Sequence, residues 1–234
     1  MKKAKVILIP LPISETNDET VPKYIEFFLN QCDIFFVENL RTARRAFKRI
    51  NKQFDIDSKE WHEIGKEESN QISSFDEALK QGKTIGIASE SGCPGIADPG
   101  HLLIQRAQEK NIEVKPLVGP NSILLTLMAS GLNGQYFTFN GYLPIQTNDR
   151  VKKIRELEKK AINEGATQLF IETPYRNNQM YQSLLQSLDN KTALCIGFHL
   201  TSDEEWIKTK RVADWKKTNL EIPKQPTLFA IGLL

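Results

Sequence analysis

The sequence has little of what metal sites and disulfide frameworks require. Its 234 residues include three cysteines and three histidines. Cys32, Cys93 and Cys195 are odd in number and far apart in the chain, which favours free thiols and a reducing, cytoplasmic location. The histidines are isolated, and neither HExxH nor CxxC spacing occurs. We therefore expect no metal site.

Long apolar runs and a strong charge of one sign are also absent. The longest apolar runs, such as Val6–Leu11, have the length of a single strand, so we expect no membrane span. The formal net charge of +2 does not indicate a nucleic-acid partner by itself. Neither GxGxxG nor GxxxxGK[ST] is present, which removes the usual support for a dinucleotide or P-loop nucleotide site.

What the chain does have is an alternation of strand and helix patterns. In the first half, near-continuous apolar segments such as Lys5–Ile9 alternate with helical ones, which predicts a parallel sheet with flanking helices. The polar segment 52–74 is predicted to be irregular. Past residue 118 the pattern changes, and β-rich segments such as Tyr136–Tyr142 predict a mixed sheet with helices. We predict an α/β protein with one domain over 1–118 and a second over 119–234.

The segment from Gly82 to Gly100 is the most informative about function. Thr84–Ala88 is predicted to be a buried strand, and the loop after it contains three glycines and two prolines before a helix starts near His101. Small residues at the carboxyl end of a strand let the backbone approach a ligand, and ligands of open α/β sheets bind at that end. A tight strand–helix connection is the alternative, but such connections need only about two to six residues.

Further loops with turn residues occur where other predicted strands end. Any one of them marks only an ordinary turn, but their order along the chain is specific. They are Pro10–Ser14, Val118–Ser122, Glu172–Arg176, Leu200–Thr201 and Pro226–Thr227.

In this order the loops resemble the motifs of the tetrapyrrole methylase superfamily of S-adenosylmethionine-dependent methyltransferases. The family's Ser-Asp-Ala-Gly-Thr-Pro-x-x-Ser-Asp-Pro-Gly corresponds to Ser89–Gly100, and its Glu-Asp-Thr-Arg corresponds to Glu38–Arg41. Its Pro-Gly-Pro-Ser and Glu-Ala-Pro-His-Arg correspond to Val118–Ser122 and Glu172–Arg176. Within the superfamily the chain is most similar to the branch of the ribosomal RNA small subunit methyltransferases I, which methylate ribose 2′-oxygens.

The resemblance implies a two-lobed fold with S-adenosylmethionine in the cleft between the lobes. Small residues at 91–93 would let backbone amides meet the methionine carboxylate and the ribose. The two isoleucines among the implied contacts would pack on adenine, although core packing is an equal alternative for either. By position, the implied cofactor contacts are Pro12, Ser91, Gly92, Cys93, Ile96, Ser122, Ile123, Glu172, Leu200 and Thr227.

The resemblance also suggests a catalytic pair. Glu38 is the candidate base or polariser of a ribose hydroxyl, and Arg41 would orient a phosphate or the nearby carboxylate. The alternative is a Glu38–Arg41 ion pair at a helix start without a catalytic part. Asn39 stands where the family has aspartate.

The acceptor remains open at this point. A basic run over residues 41–52 could follow RNA phosphates, or it could be a solvated helix face. We expect an enzyme that methylates RNA of the small ribosomal subunit at a ribose oxygen, and that forms a homodimer, as superfamily members commonly do. Two alternatives stay in view: the same cofactor with a small-molecule acceptor such as a tetrapyrrole, and a non-catalytic module that binds S-adenosylmethionine or RNA.

Overall fold

The computed structural model describes residues 3–65 and 68–234, which separate into two compact units. The first unit is Met1–Asn121 and the second is Ser122–Leu234, a boundary a few residues after the predicted 118. Within the described parts of the chain, no helix is both long enough and apolar enough to cross a membrane.

The first unit is built on a five-stranded sheet in the order β3-β2-β4-β1-β5. All of its neighbouring strands are parallel, as the apolar strands of the first half predict. The strands are β1 (Lys5–Leu8), β2 (Ile34–Val37), β3 (Glu60–Glu63), β4 (Thr84–Ala88) and β5 (Glu113–Pro116).

Helices cover both faces of this sheet. Alternate residues of each strand point to opposite faces, so Phe35 belongs to one core, with α1 and α2, and Phe36 to the other, with α3 and α4. This is why β2 and β4 are buried at every position. The helices are α1 (Ile25–Gln31), α2 (Leu40–Ile50), α3 (Ile72–Lys80) and α4 (His101–Glu109).

The second unit carries a mixed five-stranded sheet in the order β6-β7-β10-β8-β9. Only β6 and β7 are parallel, and the other neighbours are antiparallel, which confirms the predicted change of architecture. Its core packs Phe170 and Phe229 against residues of α6 and α7. The elements are α5 (Ser122–Ser130), β6 (Phe137–Tyr142), α6 (Thr147–Glu164), β7 (Thr167–Glu172), α7 (Asn177–Ser187), β8 (Ala193–Phe198), β9 (Trp206–Arg211), α8 (Val212–Trp215) and β10 (Thr227–Gly232).

The prediction of irregular structure over 52–74 is wrong in part. Glu60–Glu63 forms β3, a strand at the edge of the first sheet that pairs with β2. The ring of Trp61 stacks on Phe35 with centroids 4.8 Å apart. An edge strand needs little apolar surface, so its composition does not distinguish it from a loop.

Candidate active site

The loops that follow β1 and β4 meet at the carboxyl-terminal edge of the first sheet. The two strands are parallel neighbours, so both end at this edge. Leu11 and Gly92 exchange backbone hydrogen bonds of 2.9 Å from the Leu11 amide and 3.0 Å from the Gly92 amide. This bridge brings the predicted cofactor residues Pro12, Ser91 and Gly92 together within the first unit.

The same bridge engages one of the expected contact residues. The amide of Gly92 donates to the carbonyl of Leu11, and the role of Gly92 as a cofactor contact stays a prediction. Gly92 has a φ of 66°, a region that residues with a Cβ rarely adopt, and the carbonyl oxygen of Pro120 lies 3.6 Å from where a Cβ would be. Glycine is thus required by the backbone path, while the exposed Ser91 beside it leaves a hydroxyl for a ligand.

Cys93 joins this loop to the segment that ends the first unit. Its Sγ donates to the carbonyl of Pro120 over 3.4 Å, and burial raises the pKa of the thiol, which keeps it protonated as a donor. A Cβ on Gly119 would lie 2.2 Å from the Cβ of Pro10, so only glycine fits there. Three of the predicted site loops therefore interlock in the first unit.

The two candidate adenine contacts have different surroundings. Ile96 is 49% exposed, so core packing does not account for it. Its neighbour Ala97 has a φ of 64°, and backbone strain of this kind is concentrated at functional loops. Ile123 of the second unit is only 7% exposed.

Glu68 fixes the far end of the 89–100 loop. Its buried carboxylate accepts hydrogen bonds from the amides of Gly100 and Leu102, and the His101 ring lies 3.2 Å from it. A carboxylate that accepts from the first amides of a helix caps it and favours its dipole. The loop is therefore held at Gly92 by β1 and at Gly100 by this cap.

Three carboxylic acids gather where β2 and β4 end. Oε2 of Glu38 accepts a 3.0 Å hydrogen bond from the amide of Glu90, and burial raises the pKa of Glu38. Burial, followed by the nearby charge of Glu38, raises the pKa of Asp98 to about 6. Carboxyl groups tuned towards neutrality are suited to accepting a proton from a substrate.

The alternative role for Glu38 finds no support in the described part of the chain. No ion pair there joins Glu38 to Arg41, and Arg41 lies exposed on α2. The helix start is instead capped by Asn39, whose Oδ1 accepts from the amide of Thr42 over 3.0 Å. Glu38 is thus left for another role, whereas nothing fixes Arg41 beside it.

In the second unit, Glu172 and Thr227 are directly opposite each other. They form the last cross-strand pair of β7 and β10. Glu172 is 1% exposed, and its Oε1 accepts from the Thr173 amide over 2.6 Å and from the guanidinium of Arg176 over 2.6 Å. This carboxylate organises the turn after β7, so any contact of Glu172 with a ligand has to leave this network intact.

Leu200 and Ser122 complete the predicted set in the second unit. Leu200 is buried and lies between His199 and Thr201, which have φ values of 54° and 67°. Ser122 begins α5, and this helix packs on β8, where a Cβ on Gly197 would lie 3.1 Å from Oγ1 of Thr126. Each unit therefore gathers its own share of the predicted cofactor residues, and their role as contacts stays a prediction.

These residues fit S-adenosylmethionine in kind. Ser91 offers a hydroxyl to the ribose, and the exposed Ile96 offers apolar surface to the adenine. Both side chains stand on a loop whose ends are fixed, so little conformational entropy would be lost when a ligand binds.

A comparison with protein families decides the class of the chain. Residues 5–215 match the model of the Tetrapyrrole (Corrin/Porphyrin) Methylases. The chain belongs to the tetrapyrrole methylase family. The predicted resemblance is confirmed. The chain is an S-adenosylmethionine-dependent methyltransferase of this family.

Curated members of this methylase family align with most of the chain. The ribosomal RNA small subunit methyltransferase I of Vibrio cholerae is 28% identical over 210 residues, which is 88% of this chain and 68% of that protein. The protein of the same name from Halalkalibacterium halodurans is 31% identical over 205 residues, 86% of this chain and 67% of that protein. For the one from Mesorhizobium japonicum, at 30% identity, the aligned part is 86% of this chain and 65% of that protein. The chain therefore spans about two thirds of these relatives.

Solved structures of methylases share the fold. The methyltransferase CobJ superposes with a TM-score of 0.63 at 14% identity, covering 100% of this chain and 95% of that one. Uroporphyrin-III C-methyltransferase from Thermus thermophilus, complexed with S-adenyl homocysteine, gives a TM-score of 0.57 at 14% identity, with 97% of each chain covered. At this identity the likeness shows the fold alone.

Two residues of the candidate site were missed by reasoning from the methylase motifs. Asp98 lies inside the Ser89–Gly100 motif, and the Pro-Gly pair after it marks a turn that could have drawn attention to it. Glu68 lies outside the motifs in a polar segment, and the sequence carries no signal of its contact with Gly100. Both depend on tertiary contacts rather than on local pattern.

Proposed function

We propose that the chain transfers a methyl group from S-adenosylmethionine to RNA of the small ribosomal subunit, at a ribose oxygen. The relatives that align with most of the chain carry the name ribosomal RNA small subunit methyltransferase I. The observation that supports RNA most directly is the exposed cationic face of α2.

The cations of α2 divide into two groups. Arg49 pairs with Asp18 over 3.0 Å, and Arg44 lies over the ring of Trp61, 5.1 Å from its centroid, so these two are engaged within the protein. The others are exposed and recur at helical spacing on one face. This cationic face consists of Arg41, Arg45, Lys48 and, just beyond the helix, Lys52.

No acidic residue occurs in α2 to neutralise this face. Clustered, unneutralised cations bind nucleic-acid phosphates by releasing counterions. By contrast, α6 pairs its Lys153 and Lys160 with Glu156, as a solvated helix does. The contrast supports α2 as the RNA-binding helix.

The chain's own residues can position the acceptor and take its proton. When bound, S-adenosylmethionine supplies a methyl group on an activated, positively charged sulfur. Aligning the acceptor and excluding water can contribute about 7–11 kcal/mol to rate acceleration. Glu38, with its pKa raised by burial, accepts the hydroxyl proton, a role worth about 10²–10⁴-fold in rate.

Incubation with isotopically labelled S-adenosylmethionine tests the acceptor. The substrates are small ribosomal subunits from cells that lack this gene and, in parallel, a metabolite extract containing tetrapyrroles. We expect label in the RNA at a nuclease-resistant, 2′-O-methylated position. Label in the metabolite fraction alone would establish the small-molecule alternative, and cofactor binding without any transfer would establish the non-catalytic one.

Paired variants test the cationic face. Arg45→Ala with Lys48→Ala should lower the slope of log affinity for RNA against log salt concentration by about 2. The matched control removes the exposed Lys152 and Lys159 of α6 and should leave the slope unchanged. Equal effects of both pairs would indicate a general charge effect and contradict a dedicated RNA-binding helix.

Glu38→Gln tests the proposed base. It should lower kcat by about 10²–10⁴-fold while leaving the affinity for S-adenosylhomocysteine within twofold. A kcat close to that of the unmodified enzyme would rule Glu38 out as the base.

We also propose a cytoplasmic homodimer, as the family resemblance implies. Cys93 and Cys195 form no disulfide, which is consistent with a reducing compartment. Met128 of α5 is 79% exposed and supplies apolar surface of the kind that interfaces bury. Light scattering of the purified protein measures the mass directly, and a monomer at micromolar concentration would contradict the dimer.

A further inference from the structure

The turn that follows β7 holds an aromatic side chain out in solvent. Tyr175 is 86% exposed, while Glu172 just before it is 1% exposed. The carboxylate of Glu172 ties down the Thr173 amide and the Arg176 guanidinium, and the Arg176 amide donates to the Thr173 carbonyl over 3.0 Å. The backbone on both sides of Tyr175 is thus fixed, and the ring itself packs on little of the protein.

A second turn, residues 222–225, is hydrogen-bonded to the residues that follow the first turn. The side-chain amide of Asn177 donates to the carbonyls of Pro223 and Gln225 over 2.9 and 2.6 Å. Asn178 exchanges hydrogen bonds of 3.0 and 2.9 Å with the backbone of Ile222. Asn177 is fully buried, so these bonds are shielded from water and hold the 222–225 turn firmly against the start of α7.

The second turn carries an exposed cation and leads into β10 at the candidate site. Lys224 is exposed and belongs to none of the ion pairs among the described residues. The chain then enters β10 at Thr227, which is paired with Glu172. We call the surface formed by residues 173–176 and 222–226 the Tyr175 platform. It stands at the sheet edge that carries the predicted cofactor residues of the second unit.

An exposed ring, with an exposed lysine on the turn that is hydrogen-bonded to Asn177 and Asn178, suits one class of ligand well. Proteins bind single-stranded nucleic acids by stacking bases on aromatic side chains while cations contact the backbone. RNA is read mostly in such unpaired regions, where bases are free to stack. Because both turns are fixed before binding, little entropy is lost when a base is captured.

We propose that the Tyr175 platform binds an unpaired nucleotide of the RNA acceptor, with its base stacked on Tyr175 and a phosphate on Lys224. This inference rests on the proposed function, since it assigns that acceptor a place beside the candidate site. A tetrapyrrole is also planar and anionic, and it is kept as an outcome of the test.

Steady-state kinetics with small ribosomal subunits distinguish stacking from other roles. Tyr175→Ala should raise KM for the subunits about 5- to 150-fold, the range expected for one stacked base, with the affinity for S-adenosylhomocysteine unchanged. Tyr175→Phe keeps the ring and should behave like the unmodified enzyme. Tyr136→Ala removes another exposed tyrosine of the same unit and should have no effect.

Lys224→Ala and a fluorescent variant test the two parts of the platform. Lys224→Ala should raise KM for the subunits. It should also make KM depend less steeply on salt concentration, by the amount that one phosphate contact contributes. The indole of Tyr175→Trp should be quenched by a single-stranded RNA oligonucleotide, and less so by the same oligonucleotide with abasic sites.

The possible failures can be told apart. If the unmodified enzyme methylates subunits but Tyr175→Ala leaves KM within twofold, the platform is wrong and the proposed function stands. A parallel loss of S-adenosylhomocysteine affinity would move Tyr175 into the cofactor site and overturn the stacking role. If RNA is not methylated while a tetrapyrrole is, the proposed function and the nucleotide assignment fail together.

Discussion

Asn39 stands where the family motif has aspartate, and its contacts show what this residue does at the start of α2. Its Oδ1 accepts from the amide of Thr42 over 3.0 Å at the start of α2. Asparagine and aspartate are nearly equivalent in this capping position. The departure from the motif therefore preserves the start of the helix that follows Glu38.

Substitutions at this position test the capping role. Asn39→Ala should lower the free energy of unfolding by about 1 kcal/mol, because the Thr42 amide loses its partner. Asn39→Asp should be neutral or slightly stabilising, since a carboxylate also favours the helix dipole. Urea unfolding measures both. An alanine variant as stable as the unmodified protein would mean that Asn39 is present for another reason.

Asp98 makes stability depend on pH in a defined direction. Burial and the nearby Glu38 raise its pKa from 3.8 to about 6 in the folded protein. The folded state therefore binds the proton more tightly than the unfolded state does. The resulting stability is fully present below pH 3.8 and is lost as the pH rises through about 6.

Asp98→Asn should remove the free-energy cost of ionising the Asp98 carboxyl in the folded protein. At about pH 7 the variant should be more stable by on the order of 1 kcal/mol, a figure reduced for partial solvent screening, and the gain should vanish near pH 4. Melting temperatures between pH 4 and 8 measure the effect. Asp203→Asn, at an exposed site, is the control, and a pH-independent gain in Asp98→Asn would contradict the linkage.

At the scale of elements, β4 is packed so tightly that one methyl group should disturb it. A Cβ on Gly86 would lie 2.5 Å from Cδ1 of Phe35 and 2.9 Å from Cδ1 of Ile9. Gly86→Ala should therefore cost about 1–3 kcal/mol of unfolding free energy. Because β4 carries the 89–100 loop, the affinity for S-adenosylhomocysteine should fall as well.

Gly134→Ala is a suitable control for this variant. A Cβ there meets no atom within 4 Å, so we expect a change near zero or a small gain from a less flexible unfolded chain. Chemical denaturation and calorimetry on both variants give the comparison. Equal stabilities for the two variants would show that Phe35 and Ile9 can move aside at little cost.

The elements also show what can be predicted from sequence. Thr84–Ala88 is found at its predicted bounds, because five buried positions in a row leave a clear apolar signal. β3 was missed because Glu60–Glu63 is polar and becomes a strand only by pairing with β2. Sheet pairing is a tertiary interaction, and local composition does not encode it.

The candidate site also has features that the sequence predicts and features that depend on tertiary contacts. The loops could be identified because their small residues follow strands in a specific order. Their contacts could not, since the Glu68 carboxylate reaches Gly100 through the fold and the Gly92 amide is taken by Leu11. The sequence thus predicts which loops belong to the site, while the scaffold contacts of Glu68 and Gly92 depend on tertiary structure.

At the scale of the whole molecule, the predicted cofactor residues are shared between two units with separate cores. Ser91 and Ile96 belong to the first unit, and Leu200 and Thr227 to the second. If one ligand contacts the predicted residues of both units, its binding must stabilise both units at once. A ligand that binds only the folded state raises the free energy of every local opening that breaks its site.

Hydrogen exchange with S-adenosylhomocysteine tests this sharing. At about 100 times its Kd the ligand should add about 2.7 kcal/mol to openings that disrupt its site, so exchange should slow in both 89–100 and 199–201. Segment 131–136 is the internal control and should exchange unchanged. Protection confined to one unit would assign the cofactor to that unit alone, and the predicted contacts in the other would have to be abandoned.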